Sequence, residues 1–189
     1  MLDICLLGTG GMMPMPSRFL TAMLARLNGR LALIDCGEGT QVTMKMLGWG
    51  FKAIDVICFT HFHADHISGL PGLLLTIGNA GRTEPLMLIG PVGLQRIVEG
   101  LTLIAPELPF PIEYIELTQD APNPIRVGAF EIHHCPADHM VKCFAYRIDL
   151  KRKGKFDVKK AEQLKLPKPL WNKLQKEGSV EHEGKTYTA

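Results

Sequence analysis

The run Thr60-His61-Phe62-His63-Ala64-Asp65-His66 follows directly on the apolar stretch Ile54-Asp55-Val56-Ile57-Cys58-Phe59. A buried strand that ends in three imidazoles and a carboxylate obliges the fold to present that strand end as a ligand cluster. His61 and His63 stand two apart, so in an extended segment both rings point the same way and can grip one ion. Asp65 and His66 fall where the chain turns into the next helix, which lets them face a second ion close by. Imidazole nitrogen with carboxylate oxygen suits Zn²⁺, with Mn²⁺ or Fe²⁺ as alternatives. Two adjacent metals would share a bridging water, lower its pKa and aim it at a phosphorus or carbonyl centre. A single loop histidine carries little weight as a ligand. Four ligand-type residues at this spacing, just ahead of Gly69-Leu70-Pro71-Gly72, point to a metal-dependent hydrolase.

The remaining pattern is an α/β alternation. Leu2 to Leu7 reads as a strand, and the glycine run Gly8-Thr9-Gly10-Gly11 as a tight turn beside the cluster, since it lacks the Lys-Ser/Thr of a phosphate loop. Leu20 to Leu27 and Arg30 to Asp35 form a hairpin about Asn28-Gly29, a pair suited to a type I′ turn. Gly39 to Leu47 has helical spacing with Val42, Met46 and Leu47 on one face. A helix over Leu70 to Ile77 is stopped by Gly78-Asn79-Ala80-Gly81. Pro85 to Ile89 is a buried strand, and Pro91 opens a helix to about Ile104. Strands follow at Ile112 to Leu117, Ile125 to Val127, Ala129 to His134 and Cys143 to Leu150. Between the last two, Ala137-Asp138-His139 lies in a loop that can bring His139 to the cluster. His133 and His134 are the rivals and are read as packed or solvated strand residues, while His182 belongs to a polar, solvated tail. At 189 residues, 46% of them hydrophobic, the chain can bury one core.

Several function classes fall away. No apolar run reaches the ~18 residues of a membrane span, and Met1-Leu2-Asp3 lacks a basic leader start. A net charge of +2 neither demands nor excludes a polyanionic partner. The five cysteines, Cys5, Cys36, Cys58, Cys135 and Cys143, are scattered among apolar neighbours and read as buried free thiols of a reducing cytoplasm.

The H-x-H-x-D-H signature resembles the metallo-β-lactamase superfamily. Leu7-Gly8-Thr9-Gly10-Gly11, Pro14-Met15-Pro16-Ser17-Arg18, Ile34-Asp35-Cys36-Gly37-Glu38-Gly39-Thr40-Gln41 and His66-Ile67-Ser68-Gly69-Leu70-Pro71-Gly72 narrow the likeness to the ribonuclease Z family, over essentially the whole chain. That resemblance implies the first half of an αββα sandwich, a mixed sheet with flanking helices, plus a basic exosite arm. It implies two zinc ions per complete site, His61, His63 and His139 on the first and Asp65 and His66 on the second. The implied reaction removes the 3′ trailer of precursor tRNA by metal-hydroxide attack on a phosphodiester, with Asp65 as the catalytic residue holding or deprotonating the water. Asp35 looks like a carboxylate that orients a ligand histidine, and Glu38 is equally a carboxylate at a helix start. Arg18 is placed to meet a backbone phosphate, whereas Phe19 stands where the family has asparagine.

Two domains are expected, a metal-hydrolase portion over 1–150 and an arm over 151–189. The arm carries Lys151-Arg152-Lys153-Gly154-Lys155, Lys159, Lys160, Lys165, Lys168, Lys173 and Lys176. Lys155 and Lys168 are its candidate tRNA contacts, giving affinity that falls with salt. The family's bridging aspartate and later histidines, which follow the arm, have no counterpart up to Thr188-Ala189, so the missing C-terminal half would be needed to complete the second metal position. A homodimer is expected by the same resemblance. Two other readings stay open: a phosphodiesterase or arylsulfatase on the same scaffold, and a non-catalytic tRNA-binding fragment.

Overall fold

The computed structural model describes residues 2–105, 107–150 and 156–188, in two compact units, Met1–Asp149 and Leu150–Ala189. The first unit is built on a six-stranded mixed sheet. Strands β1 (Leu2–Gly8), β2 (Ala22–Leu27) and β3 (Arg30–Ile34) pair antiparallel, and the β2–β3 turn holds Asn28 and Gly29 at φ of 51° and 79°. Helix α1 (Thr40–Leu47) leads to β4 (Ile54–Cys58), which lies parallel to β3. Helices α2 (Ala64–Ile67) and α3 (Leu70–Asn79) lead to β5 (Leu86–Pro91), and α4 (Leu94–Leu101) with a short 3₁₀ turn leads to β6 (Ile112–Leu117). A second, antiparallel sheet follows in the order β7 (Ile125–Val127), β8 (Phe130–Ala137) and β9 (Cys143–Asp149). The mixed sheet with flanking helices is thus the expected one.

Periodicity explains the core. In β4, Ile54, Val56, Ile57 and Cys58 are all buried, as expected of a parallel strand covered on both faces. In α3 the buried set Leu70, Leu73, Leu74 and Ile77 follows the i, i+3, i+4, i+7 rule. Each such side chain contributes roughly 1.5–3 kcal/mol by leaving water. These residues join Leu24, Leu31, Leu33 and Phe59 in one cluster.

Three expectations are corrected. In α1 the inward residues are Thr40 and Met44, with Leu47 packed against the core as expected, whereas Val42 and Met46 are exposed. The Thr40 hydroxyl donates to the Gly37 carbonyl at 2.7 Å, which lets a polar residue occupy the core side. Pro91 does not open a helix; it ends β5 opposite Leu117, and α4 begins after Gly93, whose φ of 98° makes the break. Of the cysteines, Cys36 and Cys58 are buried, Cys5 and Cys143 half-buried, and Cys135 exposed near the end of β8; none is in a disulfide.

The second unit has its own small core. Helices α5 (Val158–Gln163) and α6 (Lys168–Glu177) precede a hairpin of β10 (Ser179–His182) and β11 (Lys185–Thr188). Asp157 caps α5 by accepting from the Lys160 amide, and Leu166, Leu174 and Val180 are buried against Phe156, Leu170, Trp171 and Tyr187. His182, expected in a solvated tail, is half-buried on β10. Lys159, Lys160, Lys165, Lys168, Lys173 and Lys176 are exposed, whereas Lys155 and the rest of the basic run 151–155 lie outside the described residues. No helix among the described residues is long and apolar enough to cross a membrane.

Candidate metal centre

The parallel pairing of β3 with β4 sets Ile34 beside Cys58, so the residues that follow the two strands meet at one sheet end. Ligand sites of open α/β sheets lie at such carboxyl ends. Asp35, with a φ of 58°, is turned under Thr60 and is almost wholly buried. That backbone region is costly for most residues but tolerated by aspartate. Its carboxylate accepts from the Thr60 amide, the Thr60 hydroxyl and His66 Nδ1, each at 2.8 Å.

Those hydrogen bonds settle the ring tautomers. The Thr60 hydroxyl spends its proton on Asp35, so its oxygen accepts from His61 Nδ1 at 3.0 Å, leaving the His61 Nε2 lone pair outward. His61 Nε2 lies 3.0 Å from His63 Nδ1, and His139 Nε2 lies 3.4 Å from that same atom. Three ring nitrogens from β4's exit loop and the β8–β9 loop therefore converge on one point, which is the geometry of a nitrogen-ligated cation. His66, with Nδ1 held by Asp35, turns Nε2 toward Asp65, whose Oδ2 is 3.8 Å away. Asp65 Oδ2 also accepts from the Met12 amide at 3.1 Å, which brings the turn after β1 beside the cluster.

The backbone is close-packed here. A Cβ on Gly37 would fall 2.4 Å from the Asp65 carbonyl oxygen, so only glycine lets the 35–39 turn meet the histidine loop. At Gly39, φ is 91° and a Cβ would strike the Phe19 ring, so Phe19 packs against that glycine. Arg18 lies exposed with its guanidinium donating to the Thr9 carbonyl at 2.6 Å. Glu38 is exposed just ahead of α1, where its backbone carbonyl accepts from Leu20. His134 points away, its Nε2 3.2 Å from the Pro122 carbonyl oxygen.

Sequence reasoning assigned no role to Thr60, although it stood within the quoted run, or to Tyr146. The Tyr146 hydroxyl donates to the Phe59 carbonyl at 2.8 Å, and the Phe144 amide donates to the Thr60 carbonyl at 3.0 Å. Strand β9 thereby ties the second sheet to the backbone that leads into His61. No local pattern signals a bond across 87 positions of sequence.

Electrostatics leave the cluster ready for a cation. Burial, then the facing His66 and His63, pull His61 down to about 4, so its ring is neutral at pH 7. The Met12 amide holds the Asp65 carboxyl below its ordinary range, and the Asp35 carboxylate raises His66. The unfolded chain binds a proton at His61 near 6.5, the folded chain only near 4, so stability falls as pH drops between those values. His66 does not offset this, because its raised pKa gives a contribution already complete below 6.5 and lost only at higher pH. Denaturant unfolding of the metal-free chain across that window should show the decline, and His61→Asn should flatten it.

A family model described as anti-Pycsar protein Apyc1 matches residues 2–98, just over half of the chain. A ribonuclease Z from Agathobacter rectalis is 56% identical over 188 residues, covering 100% of this chain and 62% of its own length. The solved short form of human tRNase Z is 30% identical with a TM-score of 0.69, over 79% of this chain and 65% of that one. YhfI of Bacillus subtilis, a metallo-β-lactamase-fold protein, shares 19% identity with a TM-score of 0.64 over 78% and 57% of the two chains, a likeness of fold. The chain spans about 62% of the length of the curated relatives it matches. It belongs to the Apyc1 family, carries the metallo-β-lactamase fold and is a homologue of ribonuclease Z.

Proposed function

We propose that the chain is part of a zinc-dependent endoribonuclease that removes the 3′ trailer from precursor tRNA. The observation that carries this reading is the convergence of His61, His63 and His139 beside Asp65 and His66, in a chain matched from end to end by ribonuclease Z sequences. The three histidines hold one zinc ion, and Asp65 with His66 contribute to a second. A firmly bound second ion would need ligands beyond these two. When bound, zinc supplies Lewis acidity for a water and for the scissile phosphate, a role that Mn²⁺ or Fe²⁺ can also fill.

The chain's own residues do the positioning. Asp35 and Thr60 fix the protons on His66 Nδ1 and His61 Nδ1, so the opposite nitrogens stay available as ligands. Asp65, ionised through neutral pH, orients the attacking water and receives its proton. Arg18 and the lysines of the second unit, Lys155 and Lys168 among them, meet tRNA phosphates. Arg18 reaches a phosphate by giving up part of its hold on Thr9. The complete protein works as a homodimer in the cytoplasm, where free thiols persist.

The test is cleavage of a precursor tRNA by the full-length protein, with elemental analysis of metal per chain. Product ending in a 3′-hydroxyl after the discriminator nucleotide, lost in His63→Ala, supports the assignment. Hydrolysis of small phosphodiesters without any precursor cleavage would instead favour a small-ester phosphodiesterase. tRNA binding without turnover of either substrate would mark a binding fragment.

Lys168, at the start of α6, is 6.0 Å from the centre of the Trp171 ring. Lys168→Ala should weaken tRNA binding and lower the slope of log affinity against log salt by about 1, as expected for one phosphate contact. Hydrolysis of a small phosphodiester should be unchanged. An unaltered salt slope in filter binding would remove Lys168 from the interface.

A further inference from the structure

A second cluster of ligand-type side chains lies on the β8–β9 pair. Glu131 and His133 are two apart on β8 and so share a face, and Asp149 stands directly opposite Glu131 on β9. His133 Nε2 is 3.1 Å from Asp149 Oδ2 and 3.8 Å from Glu131 Oε1. One ligand atom from each residue lies within 4.8 Å of the others. His133 Nε2 is itself buried and, among the described residues, meets no partner in hydrogen-bonding geometry. A cation there would take the place of the proton shared between that buried ring nitrogen and the two carboxylates.

The surroundings are those of oriented ligands. Arg126 Nε lies 3.1 Å from Glu131 Oε2, and Glu131 Oε1 lies 3.8 Å from His133 Nε2. Arg147, opposite His133, holds Asp149 Oδ1 at 2.8 Å and Oδ2 at 3.0 Å. Metal-binding carboxylates are commonly held by such outer hydrogen bonds. Both arginine side chains are about two-thirds exposed, so their charge is screened and they can swing outward when a cation enters. The three candidate ligands are between 17% and 38% exposed, which leaves one side open for water to complete the coordination.

We propose that Glu131, His133 and Asp149 form a second, independent site for a divalent transition metal, with Zn²⁺ the best match to one imidazole and two carboxylates. His133 lies four residues, roughly 13 Å of strand, before the end of β8 that leads to His139. The site is therefore separate from the histidine cluster and cross-links β8 to β9 at the opposite end of their pairing. This inference stands apart from the nuclease reading, because it concerns metal uptake alone.

The test is metal stoichiometry on the 189-residue chain. The parent, His133→Ala, Asp149→Asn and His134→Ala are stripped of metal, titrated with Zn²⁺ alone and dialysed, and zinc per chain is read by elemental mass spectrometry. Titration with Co²⁺ gives a parallel spectroscopic count. His133→Ala and Asp149→Asn should each bind one equivalent fewer than the parent, while His134→Ala should match it. Asp149→Asn preserves size and the histidine, so it decides the matter even if His133→Ala fails to fold. The parent's full count in Asp149→Asn, with an unchanged Co²⁺ spectrum, would overturn the proposal.

Discussion

On the proposed function, Asp65→Ala is expected to lower precursor tRNA cleavage roughly 10²–10⁴-fold or more and to leave tRNA affinity close to that of the parent. The carboxylate sits in the first turn of α2 with its Oδ2 3.8 Å from His66 Nε2, so, on the function proposed above, its loss would leave His66 as the one ligand of a second ion among the described residues. Proposed phosphate contacts lie elsewhere, at Arg18 and on the lysines of the second unit, and have no reason to weaken. One complication is structural: Asp65 also accepts the Met12 amide, so alanine frees the turn after β1. Asp65→Asn separates the two effects, because its amide oxygen still accepts that hydrogen bond while the charge is gone. Single-turnover cleavage and filter binding on both variants give the answer. Equal loss of cleavage and affinity in Asp65→Asn would remove Asp65 from the chemistry and make it a substrate-binding group.

The parts of the fold that were legible are those in which local chemistry and tertiary demand coincide. Asn28-Gly29 takes the positive φ values that its turn requires, and the continuous apolar run of β4 is a strand covered on both sides. His61 and His63 share an orientation because the segment leaving β4 is extended. What stayed hidden depends on partners remote in sequence. Thr40 is polar by type but inward in fact, since Gly37 satisfies its hydroxyl, whereas Val42 and Met46 are exposed. Thr60 reads as a strand-end residue until Asp35 is placed beneath it, 25 positions away. His133 reads as a strand histidine until β9 brings Asp149 across from Glu131. In the second unit the lysines were plain in composition, whereas Leu166, Leu174 and Val180 form a core only once two short helices and a hairpin close on them.

Asp35→Ala is expected to destabilise the metal-free chain by about 3 kcal/mol, since a nearly buried carboxylate that accepts three hydrogen bonds is removed and the Thr60 amide loses its acceptor. Metal affinity should fall about 10- to 100-fold, because nothing then fixes the proton on His66 Nδ1 or, through Thr60, on His61. Two further variants divide the effect. Asp35→Gly relieves the positive φ but forfeits the same hydrogen bonds, so any stability it recovers over alanine measures backbone strain. Asp35→Asn keeps one acceptor oxygen and the tolerance of left-handed backbone, so it should fall between parent and alanine. The pH dependence has a definite sign. His66 is raised by Asp35, so that pair's contribution is complete below the ordinary 6.5 and lost as pH climbs through the folded value. The gap between parent and Asp35→Ala should therefore narrow at alkaline pH, which denaturant unfolding on either side of neutrality will measure. A gap that stays constant across that range would show that Asp35 acts on the fold through Thr60 alone, with His66 an incidental neighbour.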